Sequence, residues 1–203
     1  MDLNKTITAL KRNGYQVSVF KNKEEAIQYL NQQIDQTSVG IGGSVTLQQL
    51  GAYEQLSAHN EVYWHWYETG GMSADDIRRA AAQTKLYLTS VNAISETGEM
   101  INIDGTGNRV ASTLYGHEKV YFVAGTNKIE PSLAAAIERA RNTASPLNAK
   151  RLDCKTPCAV RGDRCYDCRS ADRICGAMVI HYRKMNSCEM EVILIEEHLG
   201  RSE

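Results

Sequence analysis

The sequence predicts an α/β fold: a mostly parallel sheet with helices on both faces. Three observations carry this. Apolar residues recur at helical spacing and then at strand alternation, in turn along the chain. Asparagine, glycine and proline sit where the rhythm changes, and no internal repeat or low-complexity segment interrupts it.

Leu3, Ile7 and Leu10 share a helical face, and the run closes at Asn13-Gly14, where glycine takes the left-handed conformation that ends a helix. Residues 15–20 alternate as a strand. Asn22 is placed to cap a helix whose apolar side is Ala26, Ile27, Leu30 and Ile34. Residues 38–41 return to strand, and a glycine turn leads to a helix over 45–50. Residues 61–67 form an aromatic strand, with Tyr63, His65 and Tyr67 on one face and Trp64 and Trp66 on the other. Ser73-Ala74-Asp75-Asp76 opens a helix over 75–83 with acids in its first turn, where the dipole favours them. Residues 86–91 and 120–124 are short apolar runs. Pro131 stands at the start of an alanine-rich helix reaching about residue 142. The apolar rhythm fails over 145–175, then resumes as strands at 177–182 and 189–195, separated by a polar turn. The cysteine-rich segment 150–176 therefore reads as an insertion within one domain spanning 1–203.

Composition limits the function. With 203 residues, 42% of them hydrophobic, the chain can bury roughly 70% of its unfolded surface. Its six cysteines are not needed merely to fold it. Basic and acidic side chains number 23 and 24, so no global field draws the protein to nucleic acid or an anionic membrane. The first ten residues, with Asp2, Asn4 and Lys5, lack the apolar core of a signal peptide, and no apolar run reaches the ~18 residues of a span. A cytoplasmic location is expected, with neither nucleic-acid nor membrane partners; an oligomer is compatible with the sequence. In a reducing compartment, cysteines at short spacing point to metal or redox chemistry.

Three stretches carry chemistry. In the first, residues 39–46, Gly42 and Gly43 let the backbone approach a ligand while Ser44 and Thr46 add hydroxyls, an arrangement suited to a small anion. The spacing is neither a Walker loop nor the dinucleotide fingerprint, and a tight strand-to-helix turn also uses glycine. In the second, residues 92–109, Glu96 lies at a strand end as a candidate base, nucleophile or anchor, with Asp104, Asn108 and Arg109 completing a polar cluster. The competing reading is a hairpin through Thr97-Gly98 followed by a turn that Asp104 and Asn108 cap. The third stretch sets Cys154, Cys158, Cys165, Cys168 and Cys175 within 22 positions, at gaps of three, six, two and six residues. Zinc takes four thiolates tetrahedrally and an iron–sulfur cluster takes four at its corners; spacing leaves both open, along with unligated thiols. Seven basic residues against four acids over 150–175 give that segment a local positive excess, suited to thiolates or to an acidic partner. The five histidines, His59, His65, His117, His181 and His198, form no spaced metal motif.

In order along the chain, Gly42-Gly43-Ser44, Asn92 to Gly98, Asn102 to Arg109, Gly125-Thr126-Asn127-Lys128-Ile129, and Thr156-Pro157-Cys158 with Cys165, Cys168 and Asp172-Arg173-Ile174-Cys175 resemble the lactate-utilisation (LUD) domain family, LutC/YkgG group. The resemblance covers most of the chain. It implies a three-layer α/β/α fold of the sugar-phosphate isomerase and CoA-transferase (NagB/RpiA/CoA-transferase-like) superfamily. It also implies a role in oxidation of lactate to pyruvate, beside iron–sulfur partner subunits. Cys158, Cys165, Cys168 and Cys175 match the family, Cys154 is an extra or substitute, and Cys188 matches nothing. The favoured expectation is an accessory or electron-transfer-associated subunit holding metal or iron–sulfur. The alternative is an enzyme acting on an acyl-CoA or phosphorylated ligand, with Glu96 as its carboxylate.

Overall fold

The structure is a computed structural model and describes residues 1–201. Helix α1 (Leu3–Arg12) starts on Asp2, whose side chain accepts from the Lys5 N–H, and stops at Asn13 before Gly14, φ 90°. Strand β1 (Gln16–Phe20) leads to α2 (Lys23–Gln33), capped by the Asn22 side chain accepting from the Glu25 N–H. Then come β2 (Ser38–Ile41), α3 (Val45–Gln49), α4 (Ala52–Leu56), β3 (Glu61–Tyr63), α5 (Ala74–Ala81), capped by Ser73, and β4 (Leu86–Thr89). A hairpin of β5 (Ala93–Ser95) and β6 (Met100–Asp104) precedes α6 (Asn108–Ser112) and β7 (Lys119–Gly125). A 3-10 turn, Thr126–Lys128, joins β7 to β8 (Ile129–Glu130). The chain finishes with α7 (Leu133–Arg139), α8 (Ser145–Arg151), α9 (Pro157–Arg161), β9 (Ala177–His181) and β10 (Glu189–Ile195).

Six strands form one sheet in the order β1-β10-β7-β4-β2-β3, every pair parallel. Strand alternation makes the three layers. Val192 and Leu194 of β10, with Val120 and Phe122 of β7, face Leu10 of α1 and Ala81 of α5. The intervening Ile193, Ile195, Tyr121 and Val123 face Ala26 and Leu30 of α2, Leu47 of α3 and Leu56 of α4. Each fully buried side chain of this size stabilises by about 1.5–3 kcal/mol, so a one-residue slip of β10 would expose an entire face. The α/β architecture with helices on both sides is thus as the alternation predicts.

A second, mixed sheet, β8-β5-β6-β9, lies beside the first. In it β5/β6 and β6/β9 are antiparallel and β5/β8 parallel, and Ala136 of α7 and nearby Ala140 pack on Ala93 and Ile101. Strands β9 and β10, consecutive in sequence, belong to different sheets. Periodicity identifies a strand but not its neighbour, so this division was not legible.

Three local expectations are corrected. The aromatic strand stops at Tyr63, because β2 offers it only three partners; the Tyr67 N–H then turns back to the Trp64 carbonyl at 2.9 Å. Trp64 and Trp66 stack at 5.3 Å, with Trp64 completely buried. Pro131 directly precedes the cap of α7, which is Ser132 accepting from the Ala135 N–H. The helix also continues past residue 142, through a π-helical turn, Ala140–Ala144, into α8, where the Ser145 hydroxyl donates to the Ala140 carbonyl at 2.9 Å. Helices α8 and α9 therefore occupy part of the segment expected to be irregular, leaving residues 162–176 as the irregular part. No helix among the described residues is long and apolar enough to cross a membrane.

Candidate functional site

The carboxyl ends of β2, β4 and β7 open into a cavity of about 490 Å³. Parallel sheets present ligand sites at this edge because loops and helix starts converge there. The main sheet supplies Gly43, Ser44 and Thr46 after β2, Ser90 and Asn92 after β4, and Lys128 after β7; β6, α6, α7 and α8 supply Asp104, Asn108, Arg109, Arg139 and Arg151. The lining holds seven cations (Arg78, Arg109, Lys128, Arg139, Arg151, Arg173 and Arg201) against one carboxylate, Asp104.

Lys128 dominates the floor. Its side chain is buried, and its Nζ donates to Thr46 Oγ1 and Ser90 Oγ, both at 2.8 Å. No carboxylate pairs with it among the described residues, whereas Arg109, Arg139 and Arg173 each have one. Burial first, then the Arg139 and Arg109 charges, pull its pKa down to about 7. Gly200, φ 81°, passes over this amine: a Cβ there would lie 2.9 Å from Thr46 Oγ1 and 3.0 Å from Lys128 Nζ. Arg109 is fixed more tightly. Its guanidinium donates to Asn102 Oδ1 at 2.5 Å and to the carbonyls of Ile103 at 2.6 Å and Ser90 at 3.3 Å, with Asp104 at 3.8 Å. Asp104 in turn accepts the Gly107 and Val110 N–H groups, so the turn chemistry expected of it coexists with its place in the wall. Burial, followed by the Arg78 and Arg151 charges, holds His65 down at about 4, neutral at pH 7. Arg151 lies over the Trp66 ring at 5.1 Å.

Of the ligand set expected from sequence, Gly43, Ser44, Thr46, Asp104, Asn108 and Arg109 meet around this cavity. Ser44 accepts the Leu47 N–H as the cap of a five-residue helix. Gly42 does not line the cavity: its N–H extends the ladder to the Leu88 carbonyl, and a Cβ would stand 2.9 Å from Tyr87 Oη and 3.0 Å from Arg109 Cγ. It serves the close approach of β2 to these side chains.

Glu96 requires a correction. It closes the β5/β6 hairpin against the start of α1 and is absent from the cavity lining. One oxygen accepts the Asp2 N–H at 2.7 Å and the other takes Lys5 Nζ at 3.0 Å. The Asp2 N–H first, then Lys5, hold its pKa below the usual carboxylate range. This is a carboxylate occupied in tying the amino terminus down. Glu96→Gln is expected to leave anion binding unchanged and to lower Tm slightly at pH 7. Because the folded pKa is depressed, the difference from the parent should vanish as pH falls through that pKa; thermal melts from pH 3 to 7 check it.

Lys128 was missed as a site residue. The available signal was its position just beyond a buried strand, within Gly125-Thr126-Asn127-Lys128-Ile129. Arg139 and Arg151 carried no such signal, since lone arginines on helices read as surface, and Arg173 stood out only within Asp172-Arg173-Ile174-Cys175.

A second hollow, about 420 Å³, is lined by Cys158, Cys165, Cys168 and Cys175 together with Ile137, Pro146 and Met178. All six cysteines are free; Cys154 is outside this lining, and Cys188 is buried in the core beneath β10. Hydrogen bonds from Ser170 hold the Cys168 pKa low, whereas burial, then Asp172, pushes Cys154 up. No three His, Cys, Asp or Glu side chains among the described residues are grouped closely enough for one metal ion. Arg173 and Ile174 form a wall common to both hollows.

The family model described as "LUD domain" matches residues 3–195. No curated protein matches the chain. Among solved structures, a DUF162 family protein from Deinococcus radiodurans is similar, with 12% identity, 95% of each chain covered and a TM-score of 0.53; at that identity the likeness speaks for the fold.

Proposed function

This chain belongs to the LUD domain family, and from that premise we propose that it is an accessory or electron-transfer-associated protein of lactate utilisation. It binds a small carboxylate or phosphorylated anion in the cationic cavity, and metal or an iron–sulfur group at the cysteine-lined hollow. It works beside iron–sulfur partner subunits in the oxidation of lactate to pyruvate. The observation that carries the reading is Lys128: a buried amine with two hydroxyl partners and no counter-ion among the described residues, facing a cavity of like charge. Such a group is costly to bury unless something negative joins it. An entering anion supplies the missing charge, Thr46 and Ser90 orient the amine, and Arg109, already fixed by its own acceptors, adds field without rearranging. The enzyme reading that relies on Glu96 loses its support, since both carboxylate oxygens are engaged away from the cavity.

The test is calorimetric titration with pyruvate and with sulfate, neither of which titrates between pH 6 and 9. An anion favours the ammonium form, so affinity should fall as pH rises above about 7, approaching tenfold per unit, with nearly one proton taken up per anion bound at pH 8.5. Pyruvate and sulfate affinities that stay flat from pH 6 to 9 would remove Lys128 as the anion's partner. Absence of binding at both ends would remove the anion site.

A further inference from the structure

We propose that the cysteine-lined hollow is built for a four-iron, four-sulfide cluster ligated by Cys158, Cys165, Cys168 and Cys175, not for a single zinc ion. The inference rests on the reading of that hollow as metal-binding and names the group it takes.

The first argument is size. Four thiolates about 2.3 Å from one zinc stand only about 4 Å from one another. Here the four line a space of about 420 Å³ and no three of them are grouped at single-ion range. A cluster ligated at its corners needs thiols placed around a hollow, facing inward. The second is the donor pattern. Three of the four sulfurs have a hydrogen-bonding neighbour: Thr156 Oγ1 at 3.3 Å from Cys158, the Asp167 N–H at 3.4 Å from Cys165, and Arg173 Nε at 3.0 Å from Cys175. Donors to cluster-ligating sulfurs offset thiolate charge and tune the group. The third is the shell. Arg141 and Arg173 line the hollow on either side of one carboxylate, Asp167, at 3.8 Å each, which leaves one positive charge to set against a thiolate-ligated cluster, while Ile103, Ile137, Pro146 and Met178 give it an apolar wall. Cys154 and Cys188 are outside the arrangement.

Loading by ligand exchange balances without any redox step. A preformed cluster bearing four small-thiol ligands loses four iron–sulfur bonds to those ligands and gains four to the cysteines, and each departing thiolate takes the proton of the cysteine that displaces it.

The full chain is incubated anaerobically with the mercaptoethanol-ligated four-iron cluster, desalted and assayed; a parallel sample receives zinc alone. Expected are close to four irons and four acid-labile sulfides per chain, with the broad visible absorption of a cluster. Cys165→Ser and Cys168→Ser, checked for folding by circular dichroism, should each retain less than a tenth of that iron, while Cys154→Ser and Cys188→Ser retain all of it. One tightly held zinc with no retained iron overturns the cluster and leaves the metal site standing. Neither metal retained overturns both. Full iron retention in Cys165→Ser and Cys168→Ser overturns the ligand assignment.

Discussion

Lys128→Met is expected to weaken pyruvate and sulfate binding by about 10- to 100-fold and to leave Tm unchanged or raised. The fold-change follows from losing a charge-assisted hydrogen bond worth about 1.5–3 kcal/mol. The stability expectation has the opposite sign to most core substitutions. In the free protein the ammonium is buried among hydroxyls with two arginines nearby, and its pKa of about 7 says that folding disfavours its charge. For a lysine with a depressed folded pKa, the unfolded chain binds more protons between about pH 7 and the unfolded value near 10.5. Stability therefore rises with pH across that window. Methionine fills nearly the same volume without the charge and should erase that rise. Calorimetric melts at pH 6.5 and 9 with parent and variant measure both effects, and a variant that loses several degrees at each pH would mean the amine is structural.

Arg109→Leu should do the reverse. It removes a guanidinium that ties Asn102, Ile103 and Ser90 together and faces Asp104 at 3.8 Å. What remains is a half-buried carboxylate without its counter-ion, and Asn102, Ile103 and Ser90 each lose a donor. Breaking such a group from one side typically costs about 3–5 kcal/mol, near 10 °C in Tm for a chain of this length. Arg109→Lys should recover only part of the loss, because a single ammonium cannot reach acceptors spread across the planar fork. A fall of less than 2 °C in Arg109→Leu would show that the surrounding loops close without it.

The main sheet was legible because burial on two faces leaves an unmistakable mark. Val39 to Ile41 and Val192 to Ile195 carry no polar side chain, as strands covered on both sides must be. Helix starts were legible at Asn22 and Ser73, where a capping side chain stands directly before the apolar or acidic first turn. The site was legible only in part. Gly43, Thr46 and Arg109 sit in dense polar motifs, but the charge of the cavity is collected from separate elements, each contributing one arginine or lysine that looks solvated in isolation. Glu96 shows the converse. Its partners, Asp2 and Lys5, lie more than ninety residues away in sequence, and nothing local marks that carboxylate as already occupied.

Arg173 and Ile174 stand between two chambers. Ile174 rests on Gly105, where a Cβ would approach its carbonyl oxygen to 2.5 Å, so this partition is pressed against β6's exit with no slack on that side. Its guanidinium meanwhile grips the Cys175 sulfur and the Cys168 carbonyl. The same guanidinium therefore belongs to both chambers, and a group that drew Arg173 fully into one would take a hydrogen-bond donor from the sulfur in the other.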